Sequence, residues 1–240
     1  MLERPTSLTE AAVRHIRDAV ISGRYAPGEQ LAETKLAQAL GISRGTVREA
    51  LQVLANLGLV SLSPYRGASV TELTPDRGRE IYTLRGCLES YAARLASEEG
   101  HIDGAAVAAL QERYTALVQA VHTDDVGAMV EADMQFHQTL SALSGHRLLL
   151  EHLRAIQAHS KRLLLYTDLY RTDAALVARR HALILDAIQV GDPELIERTV
   201  REHIIDLGSE TVARMTASSN LRRARRSGRR FSASTSQVRG

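Results

Sequence analysis

Four side chains in the second half of the sequence have the types and spacing of a metal-binding set. Asp133 and His137 are four residues apart, so in a helix they would lie on one face, one turn from each other. His181 and His203 each lie in a separate segment with helical apolar periodicity. One carboxylate and three imidazoles suit Zn²⁺, Ni²⁺ or Mn²⁺ and leave coordination positions open for a further ligand. These residues therefore predict a divalent metal site.

The alternative is that these side chains are ordinary polar residues. The chain has 9 histidines, and an isolated histidine on a helix is usually solvated or hydrogen-bonded. His146, His152 and His159 provide a comparison, because they follow one another at spacings of six and seven in one helical segment. None of the three has a carboxylate four residues away on the inner face, so we leave them out of the predicted site.

The elements that must hold this site are helices. Helical periodicity begins at Thr74-Pro75-Asp76, which supplies an N-cap, a first-turn proline and an early acidic residue. Capping and helix-breaking residues then divide the sequence into segments, and none of them has the alternation of a strand. Short loops between such helices predict an antiparallel bundle of about six helices with room for a ligand in its core. The predicted helices cover 74–99, 104–122, 124–143, 146–168, 173–190 and 193–217.

Arg85 on the first bundle helix is a candidate for binding a small organic acid. It lies within an inward apolar stripe, where an unpaired guanidinium would be costly, and its planar fork matches a carboxylate. Tyr82, three residues earlier, would line the same pocket. The sequence leaves open the alternative that Arg85 pairs internally with Glu89, one turn on. Cys87 has no cysteine partner and is predicted to be a small core residue. The inward apolar stripe of this first bundle helix is predicted to contain Ile81, Leu84, Leu88, Tyr91, Ala92 and Leu95.

Residues 31–72 have the pattern of a winged helix-turn-helix. An apolar face ending at Gly41 predicts a first helix, and Ser43 can cap a second helix behind a tight turn. Two short β-rich runs then flank residues 63–67, a hairpin with a basic tip. In this fold the second helix enters the major groove of DNA. The apolar face of the first helix is predicted to contain Leu31, Leu36, Ala37 and Leu40.

Charge is unevenly divided along the 240 residues, whose net charge is +2. Residues 1–72 carry 8 basic and 7 acidic groups, residues 73–217 carry 15 and 21, and residues 218–240 carry 7 arginines and no acid. DNA binding must therefore come from the local placement of arginines and not from overall basicity. The segment 218–240 has too few apolar residues to bury a core and is predicted to be disordered. Its alternative role is a non-specific DNA-binding arm.

The sequence has neither an apolar run of transmembrane length nor the apolar N-terminal region of a secretory signal. We therefore expect a cytoplasmic protein with no membrane contact. The predicted domains are a flexible N-terminus over 1–7, a winged helix-turn-helix over 8–72, a linker over 73–75, a helical domain over 76–217 and a basic tail over 218–240.

Residues 8–72 resemble the DNA-binding domain of the GntR family of bacterial regulators. The family often has Thr-Pro where this chain has Gly45-Thr46, a departure that weakens the start of the second helix. The matching motifs are Ile21-Ser22-Gly23, Pro27-Gly28-Glu29-Gln30-Leu31, Leu36-Ala37, Leu40-Gly41-Ile42-Ser43-Arg44, Val47-Arg48-Glu49-Ala50-Leu51, Leu54, Gly58-Leu59-Val60 and Gly67-Ala68-Ser69-Val70.

The resemblance implies roles for individual residues. Arg44 and Arg48 would contact phosphates and base edges, and Thr46 would assist them. Arg66 and Gly67 would reach the minor groove from the wing. Thr34 stands where relatives often carry a further DNA contact.

Residues 76–215 resemble the FCD ligand-binding domain of the FadR-type branch of this family. In many members the matching aspartate and three histidines hold a divalent metal, and a small carboxylate effector binds beside it. All four positions are occupied here, so the resemblance implies the metal-binding subtype. The matching residues are Leu84-Arg85, Leu88-Glu89, Ala92-Ala93-Arg94-Leu95-Ala96, Asp133, Phe136-His137, His181, Ile184, Ala187-Ile188, Gly191-Asp192 and His203-Ile204.

These observations predict a dimeric, ligand-responsive transcription regulator, and the resemblance favours a repressor. Two winged domains would bind the half-sites of a palindromic operator. An organic acid at the metal and Arg85 would move the first bundle helix and misalign the two recognition helices. One alternative is a metal sensor in which the ion itself is the signal. The other is a metal-dependent enzyme fused to a DNA-binding module, although the sequence has no nucleophile elbow, phosphate loop or suitably placed general base.

Overall fold

The computed structural model describes the backbone of residues 7–172 and 174–234, and the side chains of 7–172, 174–218 and 220. The described residues are mainly helical with one small sheet, which confirms the predicted fold class. A 3₁₀ turn, Leu169–Arg171, follows the seventh helix. The helices are α1 (Leu8–Ile21), α2 (Glu33–Leu40), α3 (Arg44–Asn56), α4 (Pro75–Glu98), α5 (Gly104–Val121), α6 (Val126–Ala142), α7 (Arg147–Thr167), α8 (Ala174–Val190) and α9 (Pro193–Ser234), and the strands are β1 (Gln30–Leu31), β2 (Val60–Ser63) and β3 (Gly67–Val70).

The N-terminal domain is a winged helix-turn-helix. Gly41 ends α2 in the left-handed conformation, with φ of 66°, and the Ser43 hydroxyl accepts the Thr46 backbone N–H at 3.1 Å to cap α3. Strands β2 and β3 form the antiparallel wing, in which Val60 is paired with Val70. The buried core of this domain contains Ala12, Ile16, Val20, Leu31, Leu36, Ala37, Val47, Ala50, Leu51, Leu54, Leu59, Val60, Ala68 and Val70.

One residue of the predicted first helix belongs to the sheet. Leu31 is buried, but it lies in β1 and pairs with Ala68 of β3, so the sheet has three strands in the order β1-β3-β2. The helix therefore begins two residues later, at Glu33. A two-residue strand is too short to show the alternation by which strands are recognised in a sequence.

The predicted domain boundaries shift by one or two residues. Ser7 caps α1 in a reciprocal capping box with Glu10, while residues 1–6 of the predicted flexible N-terminus lie outside the described residues. Pro75 is the first residue of α4 and not the last residue of a linker. The connection between β3 and α4 is therefore residues 71–74.

Helices α4 to α9 form the second domain, and α4 and α9 share its most extensive helix–helix contact. Among the described residues, no helix combines the length and apolar composition needed to cross a membrane. Two large apolar clusters fill the domain. One contains Ile81, Tyr82, Leu117, Val126, Met129, Val130, Met134, Leu163, Leu164, Tyr170, Val177, Ile204, Leu207 and Met215, and the other contains Ala93, Leu110, Phe136, Leu140, Ile184, Leu185, Ala187, Ile188, Ile196 and Val200.

The predicted inward stripe of α4 is partly wrong. The Leu84 and Tyr91 side chains are 46% and 48% exposed, and Cys87 is exposed as well. The helix instead buries a face of small and polar residues, because α9 approaches it closely. A Cβ atom on Gly86 would lie only 3.2 Å from Ile205 of α9. The buried non-apolar residues of α4 are Gly78, Arg85, Gly86, Glu89 and Ser90.

The last helix is longer than predicted. Its predicted end was residue 217, followed by a disordered tail, whereas α9 continues to Ser234 and residues 235–240 lie outside the described part of the chain. The segment has alanine, arginine and leucine, which favour helix, and its only strong helix breaker is Gly228. Extending a formed helix costs far less than starting one, so composition alone is a poor guide to where α9 ends.

Candidate metal centre and nucleic-acid interface

The bundle brings the four predicted metal ligands together in its core. Asp133 and His137 lie on α6, His181 on α8 and His203 on α9. All four side chains are buried, and one potential ligand atom from each lies within 4.8 Å of the others. Three separate helices are thus needed to assemble the cluster.

Nitrogen and oxygen atoms face one another within this cluster. His181 Nε2 lies 3.1 Å from Asp133 Oδ1, and His137 Nε2 lies 3.1 Å from His203 Nε2. The Tyr170 hydroxyl donates a hydrogen bond of 2.8 Å to Asp133 Oδ1, which fixes the carboxylate. The other carboxylate oxygen, Oδ2, is buried without a hydrogen-bond partner among the described residues.

Contacts behind the cluster determine which ring nitrogen carries the proton. His181 Nδ1 lies 2.8 Å from the Val177 carbonyl, which can only accept, so Nδ1 is protonated and Nε2 of the neutral ring is bare. His137 Nδ1 lies 2.9 Å from Glu89 Oε2. An ionised carboxylate can only accept, so this contact also favours the proton on Nδ1 and leaves Nε2 of a neutral His137 ring bare. This is the arrangement in which histidines present Nε2 to a metal while Nδ1 is held by a carbonyl or carboxylate.

The residues present fit a divalent cation. A bare Nε2 of His181 facing Asp133 places two acceptors in contact in a buried site, which is unfavourable unless a cation or a proton lies between them. Asp133 and the imidazoles of His137, His181 and His203 would hold the ion. The donor set of one oxygen and three nitrogens suits Zn²⁺, Ni²⁺ or Mn²⁺.

The ionisation of these groups agrees with a ligand role. Burial lowers the pKa of His137 despite the opposing charge of Glu89, and burial together with the neighbouring imidazoles lowers the pKa of His203 well below its usual value. Burial alone would raise the pKa of Asp133, but the contact with His181 and the positive charges nearby hold it below its usual range. Neutral imidazoles and an ionised carboxylate are the forms that bind metals.

The Arg85 guanidinium, assigned to an effector carboxylate, is engaged within the protein. Its Nε donates to Glu89 Oε1 at 2.7 Å and its Nη1 donates to Ser160 Oγ at 2.9 Å, and the side chain is completely buried. The structure therefore has the internal ion pair that the sequence left open. Burial would raise the pKa of Glu89, but Arg85 and His137 lower it to about 2. The effector role of Arg85 remains a prediction.

The Tyr82 side chain is buried beside α9. Its hydroxyl accepts a hydrogen bond of 3.3 Å from Thr211 Oγ1, and its ring lies against Gly208, where any larger residue would overlap it. Tyr82 thus lies in the same buried region as Arg85. Its predicted contact with an effector is not tested by these observations.

Gln157 and Tyr170, which organise the site, were not predicted from the sequence, and Glu89 was predicted only as a possible internal partner of Arg85. Glu89 contacts both Arg85 and His137, and Gln157 of α7 donates to Glu89 Oε1 at 3.0 Å. Glu89 had a weak signal, because it follows Arg85 by four residues on an apolar helix face. Gln157 and Tyr170 had none, because their roles depend on how helices distant in sequence pack together.

The residues predicted to bind DNA lie on the outer surface of the first domain. Arg44 and Arg48 are exposed on α3, and Thr46 between them is half-buried, with its hydroxyl 2.9 Å from that of Ser43. Thr34 is exposed on α2. The structure thus places this set on one domain surface.

The Arg48 fork is held by a neighbouring helix. Its Nε and Nη2 donate to Glu33 of α2 at 3.1 and 2.7 Å. Both groups lie at the surface, so this ion pair contributes little to stability but orients the guanidinium. In the wing, Arg66 and Gly67 are exposed at the hairpin tip, where Gly67 has a φ of 73° that favours glycine.

Comparisons with known proteins find matches for both the winged helix-turn-helix domain and the helical domain. Residues 8–70 match the gntR family of bacterial regulatory proteins, and residues 80–206 match the FCD domain. The HTH-type transcriptional regulator YdhC of Bacillus subtilis (strain 168) is 30% identical over 207 residues, which cover 84% of this chain and 90% of YdhC. The HTH-type transcriptional repressor RspR of Escherichia coli (strain K12) is 26% identical over 199 residues, which cover 83% of this chain and 86% of RspR.

A solved structure has the same fold. The crystal structure of a GntR regulator from Rhodococcus sp. RHA1 superposes with a TM-score of 0.73 at 25% sequence identity, covering 85% of this chain and 97% of that protein. The sequence and structural matches extend over both domains. The chain therefore belongs to the GntR family of bacterial regulatory proteins and carries an FCD domain.

Proposed function

We propose that this regulator represses transcription as a homodimer on a palindromic operator, under the control of a small organic acid bound at or near a divalent metal ion. The observation that carries the proposal is the buried cluster in which His181 Nε2 and Asp133 Oδ2 have no hydrogen-bond partner in the described part of the chain. Repression is supported by the similarity to RspR, a named repressor. Since operator DNA lies in the bacterial cytoplasm, we place the protein there.

The cluster provides an anchor for an anion. A bound divalent ion would supply a Lewis-acidic positive charge to which a carboxylate could bind. The protein's own residues hold the ligands in position, since Glu89 fixes the ring of His137 and Tyr170 fixes Asp133. We assign no catalytic role to the site, because the chain belongs to a family of regulators.

The DNA-binding half of the proposal rests on the exposed set on α3 and the wing. Arg44 and Arg48 are exposed at the start of the helix that enters the major groove in this fold, and Arg66 lies on the wing tip. One such domain covers about half of a typical operator, so two chains are needed for tight binding at cellular salt concentrations.

A second candidate is a metal sensor, in which the ion is the signal. It is favoured by the ion pair between Arg85 and Glu89, because the arginine is already neutralised and completely buried. An effector would then have to bind through the metal and the surrounding hydroxyl groups alone. The two candidates differ in whether an organic acid changes the DNA affinity of the metal-loaded protein.

The test is to measure DNA affinity by fluorescence anisotropy at fixed salt, with a duplex selected from random sequence by the wild-type protein. The protein is stripped of metal, then loaded with Zn²⁺, Ni²⁺ or Mn²⁺, and then mixed with a panel of small organic acids. We expect one acid to weaken DNA binding of the loaded protein by about 5- to 150-fold, the usual range of allosteric coupling. A DNA affinity that changes with the metal but with none of the acids would support the sensor.

Two variants identify the site in this experiment. His181→Ala removes a ligand and should abolish the response, whereas His152→Ala removes an exposed histidine of α7 and should leave it intact. A DNA affinity that is the same in every metal and acid condition would refute control through this site. Loss of the response in both variants would refute its location.

A further inference from the structure

Helix α7 contacts the DNA-binding domain with one face and the network behind the metal cluster with another. His159 and Arg162, three residues apart, face the first domain. Gln157 and Ser160, also three residues apart, face α4. One rigid helix therefore lies between the two functional parts of the molecule.

The contacts with the first domain are made at the ends of its two DNA-binding elements. His159 Nε2 donates a hydrogen bond of 2.7 Å to the carbonyl of Leu57, the residue that caps the C-terminus of α3. Arg162 Nη2 donates a hydrogen bond of 2.7 Å to the carbonyl of Thr71, the residue directly after β3 of the wing. The recognition helix and the wing are thus both attached to α7.

The contacts with α4 lead to a predicted metal ligand. Ser160 accepts from Arg85, and Gln157 donates to Glu89. Glu89 in turn holds His137 Nδ1 at 2.9 Å. A change in the position of His137 would therefore alter the partners of two residues of α7 that lie within one turn of His159.

The two attachments are buried. His159 and Arg162 are only 5% and 3% exposed, and Arg162 Nη1 is buried without a hydrogen-bond partner among the described residues. Arg162 also lines a cavity of about 60 Å³ between the domains, together with Leu73 and Tyr166.

We propose that α7 couples the metal site to the DNA-binding domain, with His159 and Arg162 as the positioning residues that hold the recognition helix and the wing. This inference rests on the proposed function, because it requires that metal-site occupancy affects DNA binding. The coupling runs through the hydrogen bonds between α7 and α4 and through the close contact of Glu89 with His137. It adds contacts from α7 to the chain connection at residues 71–74, because Arg162 donates to Thr71, the first residue of that connection.

The experiment measures one ratio, the DNA affinity of metal-free protein divided by that of Zn²⁺-loaded protein, on the duplex selected by the wild type. His159→Ala and Arg162→Met remove the two attachments. His159→Gln retains an N–H donor, and His152→Ala is the control on the same helix. Zn²⁺ binding and thermal unfolding of each variant are measured in parallel, so that a loss of folding is recognised.

We expect Zn²⁺ to change the wild-type affinity at least fivefold and the affinities of His159→Ala and Arg162→Met less than twofold, while each still binds one ion per chain. His159→Gln should recover part of the ratio. An attachment that is only structural would weaken DNA binding equally with and without Zn²⁺, leave the ratio unchanged, and overturn the proposal. If His159→Ala does not fold, the ratios of His159→Gln and Arg162→Met decide whether α7 couples the metal site to the DNA-binding domain.

The same experiment gives a different result if the proposed function fails and not only the coupling through α7. A wild-type protein that binds no Zn²⁺ contradicts the metal site and removes the basis of this inference. A wild-type protein that binds Zn²⁺ but shows a ratio of one retains the metal site and contradicts the coupling through α7.

Discussion

Asp133 Oδ1 and His181 Nε2 lie 3.1 Å apart at the centre of the bundle, and both are acceptors when a neutral His181 ring donates through Nδ1 to the Val177 carbonyl. Two buried acceptors in contact repel each other unless a positive charge lies between them. The same reasoning applies to His137, whose Nδ1 is held by Glu89. At the scale of single residues, the site therefore depends on the groups that contact its ligands, the Val177 carbonyl and the Glu89 carboxylate, as much as on the ligands themselves.

The first prediction concerns Glu89. Glu89→Gln keeps the shape of the side chain but removes the charge that orients and polarises His137, so we expect metal affinity to fall by about 10- to 100-fold. Loss of the buried partner of Arg85 should also lower the thermal midpoint. Metal affinity is measured by competition with a chelator. Glu80→Gln, an exposed change on the same helix, is the control, and equal affinities in the two variants would contradict the role of Glu89.

The second prediction concerns Gly208. A Cβ atom at this position would lie 2.6 Å from Cγ of Tyr82, so Gly208→Ala must displace the ring or α9. We expect a destabilisation of about 1–3 kcal/mol, the usual cost of overpacking a core. Thermal unfolding provides the measurement. Gly104→Ala, at a helical position with open space around it, should be neutral or slightly stabilising, and an equal loss in both variants would show that close packing is not the cause.

At the scale of elements, α7 is the helix whose role was least visible in the sequence. His159 was set aside because it lacked a carboxylate neighbour, yet it binds the end of the recognition helix. Its partner is a backbone carbonyl 102 residues away, and no local pattern marks such a contact. By contrast, Asp133 and His137 could be predicted as neighbours, because helical geometry fixes residues four apart on one face.

Other outcomes have equally physical causes. The winged helix-turn-helix could be predicted because caps and glycines such as Ser43 and Gly41 determine where helices begin and end. The orientation of α4 could not, because close packing against Gly86 selects a face that apolar periodicity does not mark. Arg85 was recognised as a buried arginine, but its hydrogen-bond partner Ser160 comes from another helix, and no local pattern marks such a contact.

The third prediction concerns pH and the contact between α7 and the first domain. Burial lowers the pKa of His159 below its usual 6.5, the Leu57 hydrogen bond opposes this shift, and Arg77 and Arg162 add to it. Below about pH 6.5 the unfolded chain therefore binds a proton that the folded chain does not, so this residue's contribution to stability is lost as the pH falls.

His159→Gln should consequently show a smaller decrease in thermal midpoint between about pH 7.5 and 5.5 than the wild type. The buried imidazoles of His137 and His203 titrate in both proteins, so the difference between the two curves isolates His159. His152→Gln, an exposed change on the same helix, is the control. A His159→Gln curve parallel to that of the wild type would count against this assignment.

At the scale of the whole molecule, α4 carries an apolar stripe that the described residues leave partly exposed. Leu84, Cys87, Leu88 and Tyr91 recur at the spacing of one helix face, with Leu84 and Tyr91 nearly half exposed. Exposed apolar stripes of this kind mark interfaces. We propose that a second copy of the chain covers this stripe, which would present two winged domains to two half-sites.

The fourth prediction tests this arrangement. The double change Leu84→Glu and Tyr91→Glu places charges in the proposed interface, so the dimer should dissociate at micromolar concentration and DNA affinity should fall at least tenfold. Sedimentation velocity measures the oligomeric state. Leu183→Glu, at a 59% exposed leucine of α8, should leave the dimer intact. A double variant that sediments like the wild type would place the dimer contact elsewhere.

The metal content of the purified protein, after loading with Zn²⁺, Ni²⁺ or Mn²⁺ and removal of free ions, tests the proposed metal site most directly. Elemental analysis is compared for the wild type, His181→Ala and the exposed control His152→Ala. We predict one divalent ion per chain in the wild type and the control, and its loss in His181→Ala. A wild type that retains no ion, or a His181→Ala variant that retains as much as the wild type, would contradict the central claim.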